Sequence, residues 1–201
     1  MGGAKLPVFL PLPQGEGRNR QLDDIVVTPV LAQGNFGGRL TSDRMELTGK
    51  IIYSVGTGGR PWAVFAGLLK EHEMRVVADV RIRPTSSIPH FQQSSLSAAL
   101  QEAGIQYVYL GKELGGYRRG GYKAHMTTVL FVGGMDRLES LARSARTVFM
   151  CAETLPWRCH RWHISSELES RGWQVLHLIS PGRVWKRDPE HNEGRLWTIE
   201  P

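Results

Sequence analysis

The sequence has little cysteine: two residues, Cys151 and Cys159, in 201. Two cysteines exclude the disulfide framework of a small secreted scaffold, and a chain of this length buries a core without such staples. Long apolar runs are missing as well. No stretch approaches the roughly 20 apolar residues that a membrane helix needs. The opening "MGGAKLPVFLPLPQGEG" is broken by prolines and has no signal-peptide cleavage pattern, and Leu6 stands where myristoylation wants Ser or Thr. The expectation is a cytoplasmic protein without membrane attachment. Acidic residues are outnumbered, 19 Asp and Glu against 25 Lys and Arg, for a formal net charge of +6. That excess favours anionic partners: phosphates, nucleotides or nucleic acid. The common nucleotide fingerprints are absent, since "GTGG" lacks the GxGxxG spacing and "GKE" lacks the GxxxxGK[ST] spacing.

What is present divides the chain. Residues 1–48 are rich in Gly, Pro, Asn and Gln and hold no lasting period. Patterned sequence begins at Met45, which reads as a natural start preceded by an extension over 1–44. From residue 49 to 180 strands and helices alternate. The β-rich runs are 51–55, 75–80, 105–110, 146–152 and 173–179. Between them, helical spacing predicts helices over 60–73, 94–104, 135–145 and 156–172, with Pro61 in a first turn and Gly104 and Gly172 as stops. Such alternation predicts an α/β three-layer sandwich. A mainly parallel sheet of about five strands would carry helices on both faces. Residues 181–201 read as a surface arm with a short strand in "RLWTI".

In an open parallel sheet, ligands bind beyond the carboxyl ends of the strands. The loops leaving those ends are "GTGGR", "DVRIRPTSS", "GKELGGYRRGGYK" and "CAETLPWRCHR". They bring Arg60, Asp79, Arg81, Arg83, Glu113, Arg118, Arg119, Cys151, Glu153, His160 and Arg161 to one edge. A thiol, an imidazole, carboxylates and guanidiniums together are the materials of an enzyme site for an anion. Gly115 and Gly116 permit close backbone approach there. Glu113 has two competing roles, an ion-pair brace for Arg81 or Arg161 and a base; the density of arginines favours the brace.

The richest stretch is "CAETLPWRCHRWH", 151–163. Its spacing, C-x7-C-H-x2-H, differs from paired structural zinc spacings, and neighbouring helical residues point about 100° apart, so no metal and no cofactor is expected. On a regular helix with Ile164 and Leu168 buried, His160 and Arg161 face the sheet while Cys159 points nearly opposite. Cys151 ends a strand in the crevice. Near a helix start and arginines it reads as a thiolate of lowered pKa and as the nucleophile, with His160 or Glu153 as acid or base. Arg81, Arg118 and Arg161 would clamp the anion. A C-x5-R phosphatase loop does not fit, because Arg158 lies one residue too far.

Three motifs in order carry a resemblance: "IYSVGTGGRPWAVFAGLLKEHEMRVVADVRIRPTS", "AALQEAGIQYVYLGKELGGYR" and "VFMCAETLPWRCHRWHISSELESRGWQVLHLI". Over residues 50 to 180 the chain resembles the bacterial and archaeal family called domain of unknown function 488. Members often carry Gly-His-Ser where Thr57 and Gly58 stand here. The resemblance implies a site near Asp79, Arg81, Glu113, Gly115, Gly116, Cys151, Glu153, Cys159, His160 and Arg161, and no assigned reaction. Two functions follow as expectations. One is an enzyme for an anionic substrate, such as a nucleotide or nucleobase derivative. The other is a non-catalytic nucleic-acid or nucleotide-binding module using the aromatic and basic residues of "YRRGGYK".

Overall fold

The structure, a computed structural model, describes residues 50–187 and 195–198. The unpatterned stretch 1–48 and the start expected at Met45 lie outside the described residues. Parallel strands β1 (Ile51–Gly56), β2 (Val76–Asp79), β3 (Gln106–Tyr109), β4 (Thr147–Cys151) and β5 (Gln174–Ser180) form the body of one sheet. Antiparallel β6 (Arg183–Lys186) and β7 (Arg195–Thr198) complete it, in the order β3-β2-β4-β1-β5-β6-β7. The described parts of the tail expected as a surface arm, 181–187 and 195–198, therefore extend the sheet. The tail turns back at Gly182, whose φ of +66° suits glycine, and buries Val184 and Trp185.

The strand order explains the layers. From β1 through β2 to β3 the chain moves toward one edge; from β3 through β4 to β5 it moves back. Right-handed crossovers in opposite directions put their helices on opposite faces. Helices α1 (Trp62–Glu71) and α2 (Gln93–Glu102) accordingly share one face, where Phe65, Leu68, Leu69, Leu96 and Leu100 pack on Val55, Val77, Val148 and Met150. The other face takes α5 (Val129–Ser144) and α6 (Arg161–Ser170), whose Phe131, Met135, Leu138, Ile164 and Leu168 pack on Ile52, Ala78 and Phe149. Strands covered on both faces read as continuous apolar runs, and Val76–Asp79 and Thr147–Cys151 are buried throughout.

Two helices depart from their sequence pattern. The helix expected over 135–145 begins six residues earlier, at Val129, where Thr128 Oγ1 accepts from Phe131 N at 3.2 Å. Gly133 and Gly134 disguise this start. Gly134 is small for a packing reason, since a Cβ there would lie 2.5 Å from Glu113 Cβ. The helix expected over 156–172 is divided. A 3-10 turn covers Pro156–Arg158, Cys159 is extended at φ −144° and ψ 175°, and α6 starts only at Arg161. Between β3 and α5 lie two short helices, α3 (Gly111–Leu114) and α4 (Tyr122–Met126). Among the described residues no helix is long and apolar enough to cross a membrane.

Candidate functional site

Strand β4 is flanked by β1 and β2, and its carboxyl end is level with theirs. Gly56 pairs with Cys151, and Asp79 pairs with Met150. The chain leaving β2 runs to one face and the chain leaving β4 to the other, which opens a crevice above them. The loop after Cys151 is anchored to β1 by Thr57 N and Gly58 N, which donate to Cys151 O and Ala152 O at 2.8 Å each. It passes so close over Gly56 that a Cβ there would fall 2.1 Å from Glu153 O. Glu153 folds its carboxylate onto the loop, where Oε1 accepts from Thr154 N at 2.9 Å.

The extended backbone at Cys159 reverses the expectation for its side chain. A regular helix from Pro156 would aim that sulfur away from the crevice. The break before Arg161 turns it back, and the sulfurs of Cys151 and Cys159 and a ring nitrogen of His160 lie within 4.8 Å of one another. His163, the other histidine of the motif, stacks on Tyr122 with ring centroids 5.3 Å apart.

His160 has a determined tautomer. Its Nε2 lies 2.9 Å from Val80 O, a pure acceptor, so Nε2 carries the hydrogen and Nδ1 is an open lone pair. That lone pair faces Cys151 Sγ at 3.8 Å. Burial lowers the pKa of His160 to about 4, with Arg161 and Arg118 adding to the shift, so the ring is neutral near pH 7. Gly116 makes room: a Cβ there would sit 3.0 Å from Nδ1. Tyr122 packs against the ring at 5.5 Å and is held by its hydroxyl, which donates to Leu114 O at 2.7 Å.

The charge within the pair of thiols falls opposite to the expectation. The hydrogen bond between them, with Cys151 as donor, raises the pKa of Cys151, and burial raises it further. The same bond lowers the pKa of Cys159, helped by Arg161 against the cost of burial. Cys159 is therefore the sulfur of lower pKa. Arg161 supports this independently. It is 1% exposed and pairs with no carboxylate among the described residues. Its Nε donates to Cys159 Sγ at 3.3 Å, Nη1 to Ser54 Oγ at 3.0 Å, and Nη2 to Glu153 O at 2.5 Å. A buried guanidinium needs an anion nearby, and the bonded group able to become one is the Cys159 sulfur. Since Ser54 accepts from Arg161, its hydroxyl donates to His177 Nδ1 at 2.7 Å. The network thus runs from the crevice through β1 to β5.

Other expected site residues are placed variously. Asp79 and Arg81 form a buried bidentate pair, with Nη2 to Oδ2 at 2.6 Å and Nε to Oδ1 at 2.9 Å; Tyr107 OH adds a bond to Oδ2 at 2.8 Å. Arg81 Nη1 donates to Phe91 O, so this arginine is held as a wall of the crevice. Glu113 pairs with Arg137, at 3.6 Å, and so braces neither Arg81 nor Arg161. The physical reason is α5, which begins early and packs on α3, drawing the Glu113 side chain sideways. Arg118 donates to the carbonyls of Gly115 and Lys112, closing the end of α3. Gly115 packs on Ile82, where a Cβ would come within 2.6 Å. Arg60 joins the ends of β1 and β5 by bonds to Gly56 O and Ile179 O.

What remains is a cavity of about 800 Å³. Cys151, Cys159 and His160 line it together with Arg81 and Glu153. Arg83 and Arg158, both exposed, are its further cations, and neither is in an ion pair among the described residues. Tyr117 also lines it, 98% exposed and at a positive φ of 56°. Arg158 is a lining residue that the sequence reading passed over as a site residue, whereas Tyr117 belongs to the aromatic and basic stretch "YRRGGYK" that it singled out for the binding-module expectation. The model of a family described as domain of unknown function DUF488 matches residues 61–168. No curated protein and no solved structure matches the chain.

Proposed function

Because the chain belongs to the DUF488 family, whose description names no activity, we propose a function from the site itself. The protein is an enzyme that acts on a small anionic substrate, with Cys151, Cys159 and His160 as its reactive centre. The observation that carries this reading is the meeting of two sulfurs and an acceptor nitrogen in one cavity beside Arg83 and Arg158. Sulfur and imidazole within reach of each other are the parts of a nucleophile and its base. Cys159, with Arg161 donating to its sulfur, is the nucleophile, and His160 Nδ1, which faces Cys151, is an open proton acceptor beside it. Arg83 and Arg158 attract the anion, and the Asp79–Arg81 pair keeps the wall rigid. Tyr117 presents a flat ring at the same cavity, which favours an anion with a planar head, such as a nucleotide or nucleobase derivative.

A second reading has its own support. The exposed Tyr117 next to Arg118 and Arg119 provides a stacking ring among cations, the elements of a non-catalytic single-strand nucleic-acid module. One experiment separates the two. Calorimetric binding of a mononucleotide and of a single-stranded oligonucleotide is measured at low and high salt, in the wild type and in the Arg83→Ala/Arg158→Ala variant. The enzyme reading expects mononucleotide binding that the double variant weakens about tenfold or more. Oligonucleotide binding alone, falling steeply with salt, would replace it by the second reading.

A further inference from the structure

We propose that Cys151, Cys159 and His160 hold a zinc-class metal ion through both sulfurs and Nδ1 of the imidazole, with a fourth position open to the cavity. This rests on the reading of the cavity as an active site for an anion, and it makes the two sulfurs and Nδ1 ligands of the ion in place of a nucleophile and its base. Four observations support the binding itself. First, the three donor atoms lie within 4.8 Å of one another, and Cys151 Sγ and His160 Nδ1 are 3.8 Å apart. Zinc–sulfur and zinc–nitrogen bonds of about 2.3 and 2.0–2.1 Å give tetrahedral edges of about 3.6–3.8 Å. The Cys151–His160 edge is within about 0.2 Å of this, and the others close by at most about 1.2 Å.

Second, the outer partners are those a metal site uses. Nε2 of His160 donates to Val80 O at 2.9 Å, which directs the lone pair of Nδ1 inward. Arg161 Nε donates to Cys159 Sγ at 3.3 Å, a bond that supports an anionic ligand sulfur. Third, the donors are soft. Two sulfurs and an imidazole select zinc-class ions and reject magnesium and calcium, which take oxygen. Fourth, the set stops at three. His163 is stacked on Tyr122, and the Glu153 carboxylate is engaged at Thr154 N. Three protein ligands and an open position facing a cavity are the pattern of a catalytic ion rather than a structural one. There the ion would polarise an oxygen of an anion placed by Arg83 and Arg158.

The test uses the full chain without a polyhistidine tag, stripped by chelator and titrated with cobalt(II). The expected result is one equivalent bound, with thiolate-to-cobalt charge transfer and tetrahedral ligand-field absorption, both abolished by added zinc. Cys151→Ser, Cys159→Ser and His160→Gln should each weaken binding more than about a hundredfold, since losing an outer partner alone costs about 10–100-fold. A variant that does not fold is replaced by a wild-type readout: zinc should protect both cysteines, the only two in the chain, from alkylation. Cobalt that binds without a thiolate band, binding that survives loss of both cysteines, or alkylation unchanged by zinc would each overturn the proposal. Anion binding by the stripped protein is measured alongside. If it persists where cobalt does not bind, the metal inference falls and the enzyme reading stands. Cobalt binding without any anion binding has the opposite meaning.

Discussion

Arg161 shows how much one buried side chain can organise. Its guanidinium joins Cys159, Ser54 and the carbonyls of Glu153 and Thr154, so its removal orphans acceptors on β1 and along the segment between β4 and α6. Arg161→Ala should therefore lower stability by about 3–5 kcal/mol, read from the urea midpoint, as when one partner of a buried charged pair is deleted. Arg161→Lys should recover little of this, because an ammonium cannot reproduce the planar fork. Glu113 is the contrasting case. Its partner Arg137 is 55% exposed at the side chain, so Glu113→Gln should change stability by less than about 1 kcal/mol. A loss of several kcal/mol would mean that Glu113 braces a buried arginine after all.

At the scale of elements, the decisive feature is where α6 begins. A continuous helix from Pro156 would bury the same Ile164 and Leu168 but would send the Cys159 sulfur away from Cys151. Two glycines hold neighbouring elements at the needed separation. Gly134→Ala would press a methyl against Glu113 Cβ and Leu114, both on α3, at 2.5 and 2.9 Å. Neither helix can yield locally, so unfolding should cost about 1–3 kcal/mol less. Gly116→Ala is milder, because its Cβ meets the His160 ring at 3.0 Å. It should displace that ring, weakening cobalt binding at least about tenfold while moving the urea midpoint little.

For the whole molecule, the reversal of direction at β3 sets both the layers and the crevice, and a buried polar chain ties the crevice to β5. That chain makes stability depend on pH. His177 is buried, its pKa is held well below the ordinary value by burial and then by Arg161 and Arg187, and its Nε2 has no acceptor among the described residues. The unfolded chain takes up a proton on this residue below a pH of about 6.5, while the folded protein does not. Stability should therefore be level above that pH and fall as pH drops through it. In His177→Asn, which keeps an acceptor for Ser54, the slope of the urea midpoint between pH 6 and 5 should flatten by about one proton. An unchanged slope would show that His177 does not contribute to it.

The sequence by itself determined the alternation of strands and helices and the gathering of polar loops at one sheet edge. Both rest on local information: apolar period, turn glycines and the handedness of parallel crossovers. It also held the family's motifs, and it identified Cys151, His160 and Arg161 as residues to watch. Tertiary structure alone decided how they act. Cys159 faces Cys151 because of one extended residue that a helical pattern cannot reveal. Arg161 became an internal support because β1 placed Ser54 beneath it, and Glu113 turned to Arg137 because α5 started early. Side-chain direction depends on a few dihedral angles and on which distant elements become neighbours, and neither is encoded in the spacing of residues along the chain.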